Sequence, residues 1–246
     1  MPSPSHRLLV INPNANSAMT ERIAQIAALA VSPATAVTVV NPAIGLMGIE
    51  GFYDGAQAAV GLLDLVTRGR EAGYDGFAIA CFDDVGLDAA RSLVSQPVMG
   101  TCQAAMMAAS AIAHKFSVVT TVPNAVPLIE SLVARYGMAG RCVVRAANIR
   151  VSAADQDTND ATNRIRDAIR HTLDRDGAEA IVLGSASMSG RSVALAEEFA
   201  CPIIDGVAAA VAMLEALVRQ GLGTSKLGAY ATPFEKSPVR TDRFLI

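Results

Sequence analysis

Short apolar runs alternate with longer amphipathic stretches along this chain, and few folds accept that pattern. The runs lie at residues 7–12, 35–40, 76–81, 98–100, 116–121, 141–145, 180–184 and 203–204. They are rich in Val, Ile and Leu without polar alternation, as strands are when helices cover both faces of a parallel sheet. Helical periodicity fills the windows 17–31, 54–71, 103–114, 124–136, 158–176 and 206–220. The pattern predicts an α/β protein built on mainly parallel sheets.

An internal repeat sharpens this. Gly73-Tyr-Asp-Gly-Phe-Ala-Ile-Ala-Cys81 is matched by Gly177-Ala-Glu-Ala-Ile-Val-Leu-Gly-Ser185. Each begins with Gly, passes an acidic residue and a strand, and ends on a small nucleophilic residue. Pro97-Val-Met-Gly100 follows the first and Pro202-Ile-Ile-Asp205 the second at nearly equal spacing. Upstream, Arg7-Leu-Leu-Val-Ile-Asn12 pairs with Lys115-Phe-Ser-Val-Val-Thr120. Two similar α/β lobes are expected, 1–113 with 207–246 as the first and 114–206 as the second.

Composition excludes several classes. With 246 residues, 52% hydrophobic and 17% charged, the chain buries a substantial core and is not disordered. Its charge of −3, from 20 basic against 23 acidic residues, leaves no basic face, so nucleic acid is not an expected partner. The most apolar stretches are interrupted by Ser32 and Pro33 or by Glu215 before they could span a bilayer, so no membrane association is expected. The N-terminus runs straight into a strand-like segment without a signal-peptide core. Cys81, Cys102, Cys142 and Cys201 include no C-x-x-C pair, which fits reduced thiols. A cytoplasmic protein is expected.

Ligands bind beyond the carboxyl ends of strands in open parallel sheets, and both Cys81 and Ser185 fall at such ends. Facing each other across a cleft, they suit a reaction that needs one group on each face of a carbon. The bland reading of Cys81 is a buried small hydrophobe. Asn12-Pro13-Asn14 is a turn at the same edge, either a simple helix entry or a source of hydrogen bonds through Asn14. Thr120 and Thr121 are its counterparts in the second lobe, where a Thr ending a strand is also ordinary. Asp83 and Asp84 read as a solvated loop or helix cap. His6, His114 and His171 are scattered without ligand spacing, so no metal site is expected. No G-x-G-x-x-G or P-loop pattern follows a strand, so no nucleotide cofactor is expected either. Met106 and Met107 read as core packing.

Five segments together resemble the hydantoin racemase family, within the aspartate/glutamate racemase superfamily that also holds allantoin racemase. They are VINPNANSAMTERI from Val10, MGIEGFYD from Met47, ACFDDVGLDAAR from Ala80, PVMGTCQAAMMAAS from Pro97 and IVLGSASM from Ile181. The resemblance runs from the first strand to the last helix in the same order. It implies two pseudo-symmetric lobes with the active site between them, a small-molecule substrate, a homo-oligomer and no cofactor. It also implies two-base racemisation of 5-monosubstituted hydantoins, allantoin included. One cysteine thiolate removes the proton from the ring carbon, and a second cysteine returns one to the opposite face. Cys81 matches the first, and the second position holds Ser185.

That departure has chemical weight, because a hydroxyl is far less acidic than a thiol and Ser185 has no nearby His to act as its base. The replacement is either an engineered Cys-to-Ser change or a natural one-thiol relative. Asp83 and Val85 stand where the family often has Gly and Pro, and Gln103 where it often has an acid. Proton removal creates an enolate, for which the main chain of Phe82, Asp83 and Ala186 is the expected donor set, with Gly184 beside it. Asn14 with Thr120 or Thr121 is expected on the ring polar groups. The loop 44–52 is expected over the 5-substituent, and Cys81 is expected to rest as a thiolate stabilised by helix N-terminal fields. Rival readings are a one-thiol decarboxylase or cis–trans isomerase on this scaffold and a non-catalytic bilobed binder.

Overall fold

The computed structural model describes residues 5–156 and 158–234; the remaining residues of the two expected lobes, 1–4, 157 and 235–246, lie outside it. The chain runs β1 (His6–Ile11), α1 (Ser17–Leu29), β2 (Thr35–Val40), α2 (Phe52–Glu71), β3 (Gly76–Ile79), α3 (Leu87–Leu93), β4 (Val98–Gly100) and α4 (Thr101–Ile112). It continues with β5 (Phe116–Thr120), α5 (Val126–Arg135), β6 (Cys142–Ala146), α6 (Val151–Asp155), α7 (Asn159–His171) and β7 (Ala180–Leu183). It closes with α8 (Ser192–Phe199), β8 (Ile203–Asp205) and α9 (Gly206–Arg219). Among the described residues no helix is long and apolar enough to cross a membrane.

The strands form two four-stranded sheets in the orders β2-β1-β3-β4 and β6-β5-β7-β8, with every pairing parallel. The two orders are the same, so the sequence repeat is a repeat of topology. In each sheet the winding reverses between the first and third strands. Loops leaving those two strands diverge, and the crevice between them is where sheets of this kind hold ligands.

The apolar strands are explained by double-sided burial. In β1, Leu8 and Val10 join the cluster under α1 and α9, while Leu9 and Ile11 join the one under α2 and α3. In β7, Ala180 and Val182 face α4 and α5, while Ile181 and Leu183 face α7 and α8. Truncating a fully buried member such as Phe77 or Phe116 to Ala would cost about 3–5 kcal/mol. The fourth crossover of each lobe is exchanged. Cys102, Ala105, Met106 and Ala109 of α4 pack on the second sheet, and Val207, Ala210, Val211 and Leu214 of α9 pack on the first.

Gly73 and Gly177, the glycines that open the repeat, both adopt the left-handed conformation, with φ of 75° and 66°. Each lets a helix end and the chain turn directly into the central strand, a step that a β-carbon would strain. The short helices α3, α6 and α8 fall in stretches too brief to show a helical period. Met106 is core, as expected, but Met107 is exposed on the other side of α4.

Candidate active site

The central strands of each sheet place one residue pair in equivalent positions. The Ala80 N–H donates to the Ile11 carbonyl, and the Gly184 N–H donates to the Val119 carbonyl, both at 2.8 Å. Each bond is the last across its pair of strands, so Cys81 and Ser185 are the first residues free of the ladder. Gly184 is fixed by the closeness of its neighbour: a β-carbon there would lie 2.6 Å from Val118 Cγ1 and 3.0 Å from the Val119 carbonyl oxygen.

Both residues line one narrow cavity of about 30 Å³, with Asn14, Phe82, Asp83, Thr120, Thr121, Gly184 and Ala186 around them. All nine residues expected at a site from the sequence are therefore brought together. Met19, Ile49, Ala80, Ala125 and Val151 complete the walls. Ile49 belongs to the loop 44–52, but Val151 was not foreseen. It follows β6 as Ile49 follows β2, so the repeat itself could have located it. The two segments meet over the cavity, where the Val151 N–H donates to Glu50 Oε1 at 2.9 Å.

The surroundings of Cys81 favour its thiol over the expected thiolate. Burial, followed by the charges of Asp83 and Asp84, pushes its thiol well above the ordinary range. The N–H groups of Asp83 and Val85 oppose this by hydrogen bonding to the sulfur. Desolvation is the largest of these effects. The Asp83 N–H is directed at sulfur, which removes it from the expected oxyanion donor set. Among the described residues the N–H groups of Phe82 and Ala186 have no partner within the chain.

Asp84 is no solvated loop residue. Its buried carboxylate accepts from the N–H groups of Cys102 at 3.1 Å and Gln103 at 3.0 Å, capping α4, and from the Tyr136 hydroxyl at 2.6 Å. Its φ of 47° turns the loop after Cys81 toward that helix. Burial leads these effects and holds its pKa at about 6. Asp205 does the corresponding work in the other lobe, accepting from Val207 and Ala208 at the start of α9 and from Ser189 and Gly190 after Ser185.

The polar walls are partly committed. Asn14 Oδ1 accepts from Asn12 Nδ2 and the Asn16 N–H, while its Nδ2 meets only the sulfur of Met19, at 3.4 Å. The Thr120 hydroxyl donates to the Gly184 carbonyl at 3.0 Å, leaving its oxygen as an acceptor. Ser185 Oγ lies 2.9 Å from Ser187 Oγ, which is fully buried. Among the described residues no three His, Cys, Asp or Glu side chains are grouped as metal ligands.

The Asp/Glu/Hydantoin racemase family model matches residues 8–214. The chain is 43% identical over 225 residues to the hydantoin racemase of Rhizobium meliloti, covering 91% of this chain and 93% of that one. It is 39% identical over 232 residues to the hydantoin racemase of Paenarthrobacter aurescens, covering 94% and 98%. Among solved structures, allantoin racemase from Klebsiella pneumoniae superposes with a TM-score of 0.93 at 42% identity, covering 96% and 97%.

Proposed function

The chain belongs to the Asp/Glu/hydantoin racemase family and is an isomerase of the racemase type, and from that premise we propose that it acts on 5-monosubstituted hydantoins, allantoin included, through Cys81. The observation that carries this reading is the equivalence of Cys81 and Ser185 across one cavity walled by main-chain donors.

Cys81 first loses its proton, and the resulting thiolate is met by the N–H groups of Asp83 and Val85. It then removes the ring proton from C5, and the charge passes to the ring carbonyl oxygen as an enolate. The free N–H groups of Phe82 and Ala186 are placed to hold that oxygen, and removing one such donor typically costs on the order of 10²–10³-fold in rate. Asn14 Nδ2 and the Thr120 oxygen offer a donor and an acceptor to the ring. Ser185, hydrogen-bonded to Ser187, stands where a proton must reach the opposite face, and its hydroxyl is a poor acid. Full racemisation is therefore slow relative to exchange on the Cys81 face. The cavity has room for only about two waters, so ring entry requires the roof of Ile49 and Val151 to part. No cofactor takes part in this scheme.

Of the expected lobes, 1–113 with 207–246 and 114–206, the return of α9 to the first is supported by its packing on the first sheet, whereas α4, expected in the first lobe, packs on the second sheet and is assigned there. Free thiols support a reducing, cytoplasmic setting. Exposed Ile44, Met47, Phe52, Tyr53 and Val60 support a homo-oligomer.

A second reading, one-thiol chemistry that protonates an enolate from Cys81 alone, is favoured by the single thiol in the cavity lining. Incubation of single hydantoin enantiomers in D₂O, following deuterium at C5 and optical rotation, separates the two. Exchange followed by a slower but complete loss of rotation supports racemisation. Exchange of one enantiomer with retention supports the one-thiol reading, and buffer-rate exchange throughout contradicts both.

A further inference from the structure

Asp83, in the loop after Cys81, borders both the cavity that holds Cys81 and an outer groove. It lines the narrow cavity with Cys81, and it also lines a groove of about 360 Å³ between α2 and α5. Asp84, its neighbour, is consumed by three hydrogen bonds. The Asp83 carboxylate receives none among the described residues. A half-buried carboxylate with no donor within the chain carries a desolvation cost.

We propose that the Asp83 carboxylate is the proton acceptor for the Cys81 thiol, linking the cavity to the outer groove. This deepens the reading of Cys81 as the base and rests on it. In the transfer the S–H bond breaks, its electron pair stays on sulfur, and an O–H bond forms on Asp83. The negative charge moves from carboxylate to thiolate, where the N–H groups of Asp83 and Val85 receive it. The reverse transfer regenerates the thiol, and water in the groove exchanges the Asp83 proton with solvent.

The surroundings suit this. The groove walls from α2 and α5, including Gly55, Ala59, Leu128 and Ser131, carry no charge. The titratable groups about Asp83 are Cys81, Asp84 and Cys102, with Arg91 and Tyr136 acting on Asp84. Burial, then Asp84, pushes Asp83 up to about 7, so both of its forms are populated at neutral pH.

The test compares the wild type with Asp83→Asn and Asp83→Glu. Two rates are followed against pH: alkylation of Cys81 by iodoacetamide, mapped by peptide, and deuterium exchange at C5 of a hydantoin. In the wild type the alkylation rate should rise and level near pH 7, where the proton leaves the pair. In Asp83→Asn that levelling should vanish, and above pH 7 alkylation should be faster, because a negative neighbour is gone. Exchange should nevertheless fall by on the order of 10²-fold, and Asp83→Glu should restore both the levelling and most of the exchange. If Asp83→Asn speeds exchange as well as alkylation, Asp83 acts only through its field and the proposal is overturned. If the wild type exchanges no hydantoin, the functional reading fails. The alkylation profile still decides the proposal, since a rise through pH 7 without levelling contradicts it.

Discussion

The Tyr136 hydroxyl donates to the Asp84 carboxylate at 2.6 Å, so a residue at the end of α5 steadies the loop that carries Cys81. The bond crosses from the second lobe to the first. It holds the charge that caps α4, and α4 in turn packs on the second sheet.

Tyr136→Phe should therefore destabilise the protein by about 1–3 kcal/mol, the usual cost of removing a partner from a buried charged group. The loss depends on pH. Burial raises the folded pKa of Asp84 from the ordinary carboxylate value of 3.8 to about 6. The stability it contributes is thus complete below the lower value and is lost as pH rises through the higher one. The hydroxyl matters most when Asp84 is ionised, so the gap between variant and wild type in urea midpoint should be wider at pH 8 than at pH 4.5. An equal gap at both would show that Tyr136 acts by packing alone.

Gly100→Ala should fail locally for a steric reason. A β-carbon there would lie 2.2 Å from Asp84 Oδ1 and 2.4 Å from its Cγ, and the carboxylate cannot move without leaving the N–H groups it caps. A loss of about 1–3 kcal/mol or more is expected by thermal unfolding. At Gly45 the nearest atom would be 3.6 Å away, so Gly45→Ala should stay close to wild type.

Asp83→Asn should stabilise the protein at neutral pH. Burial, then Asp84, raises the folded pKa of Asp83 from the ordinary carboxylate value of 3.8 to about 7, so ionisation costs stability as pH rises between those values. Variant and wild type should be equally stable near pH 4. Above pH 7 the variant should be ahead by about 2–4 kcal/mol. A difference that does not change with pH would place the Asp83 carboxylate in solvent.

Much of this was legible from the repeat. Gly73 and Gly177 punctuate the chain because a left-handed residue is needed before each central strand, and that requirement leaves a mark in sequence. Cys81 and Ser185 could be paired for the same reason. Val151 could be found only by carrying the repeat outward to β6, where the residues themselves do not match. The burial that favours the Cys81 thiol, the largest influence on it, leaves no mark in the sequence. Of the two readings of Asp84, solvated loop or helix cap, the cap is what forms, but its partners, Cys102, Gln103 and Tyr136, lie in later elements and could not be named from the sequence.

Ser185→Cys tests the central claim most directly. Each enantiomer of a hydantoin that binds would be followed in D₂O by optical rotation, with wild type and variant side by side. The account predicts a rise in racemisation on the order of 10²–10⁴-fold, the range typical of a general acid or base, with little change in binding. Unchanged racemisation on every hydantoin that binds would show that Ser185 is not a proton-transfer position, and the one-thiol reading would replace it.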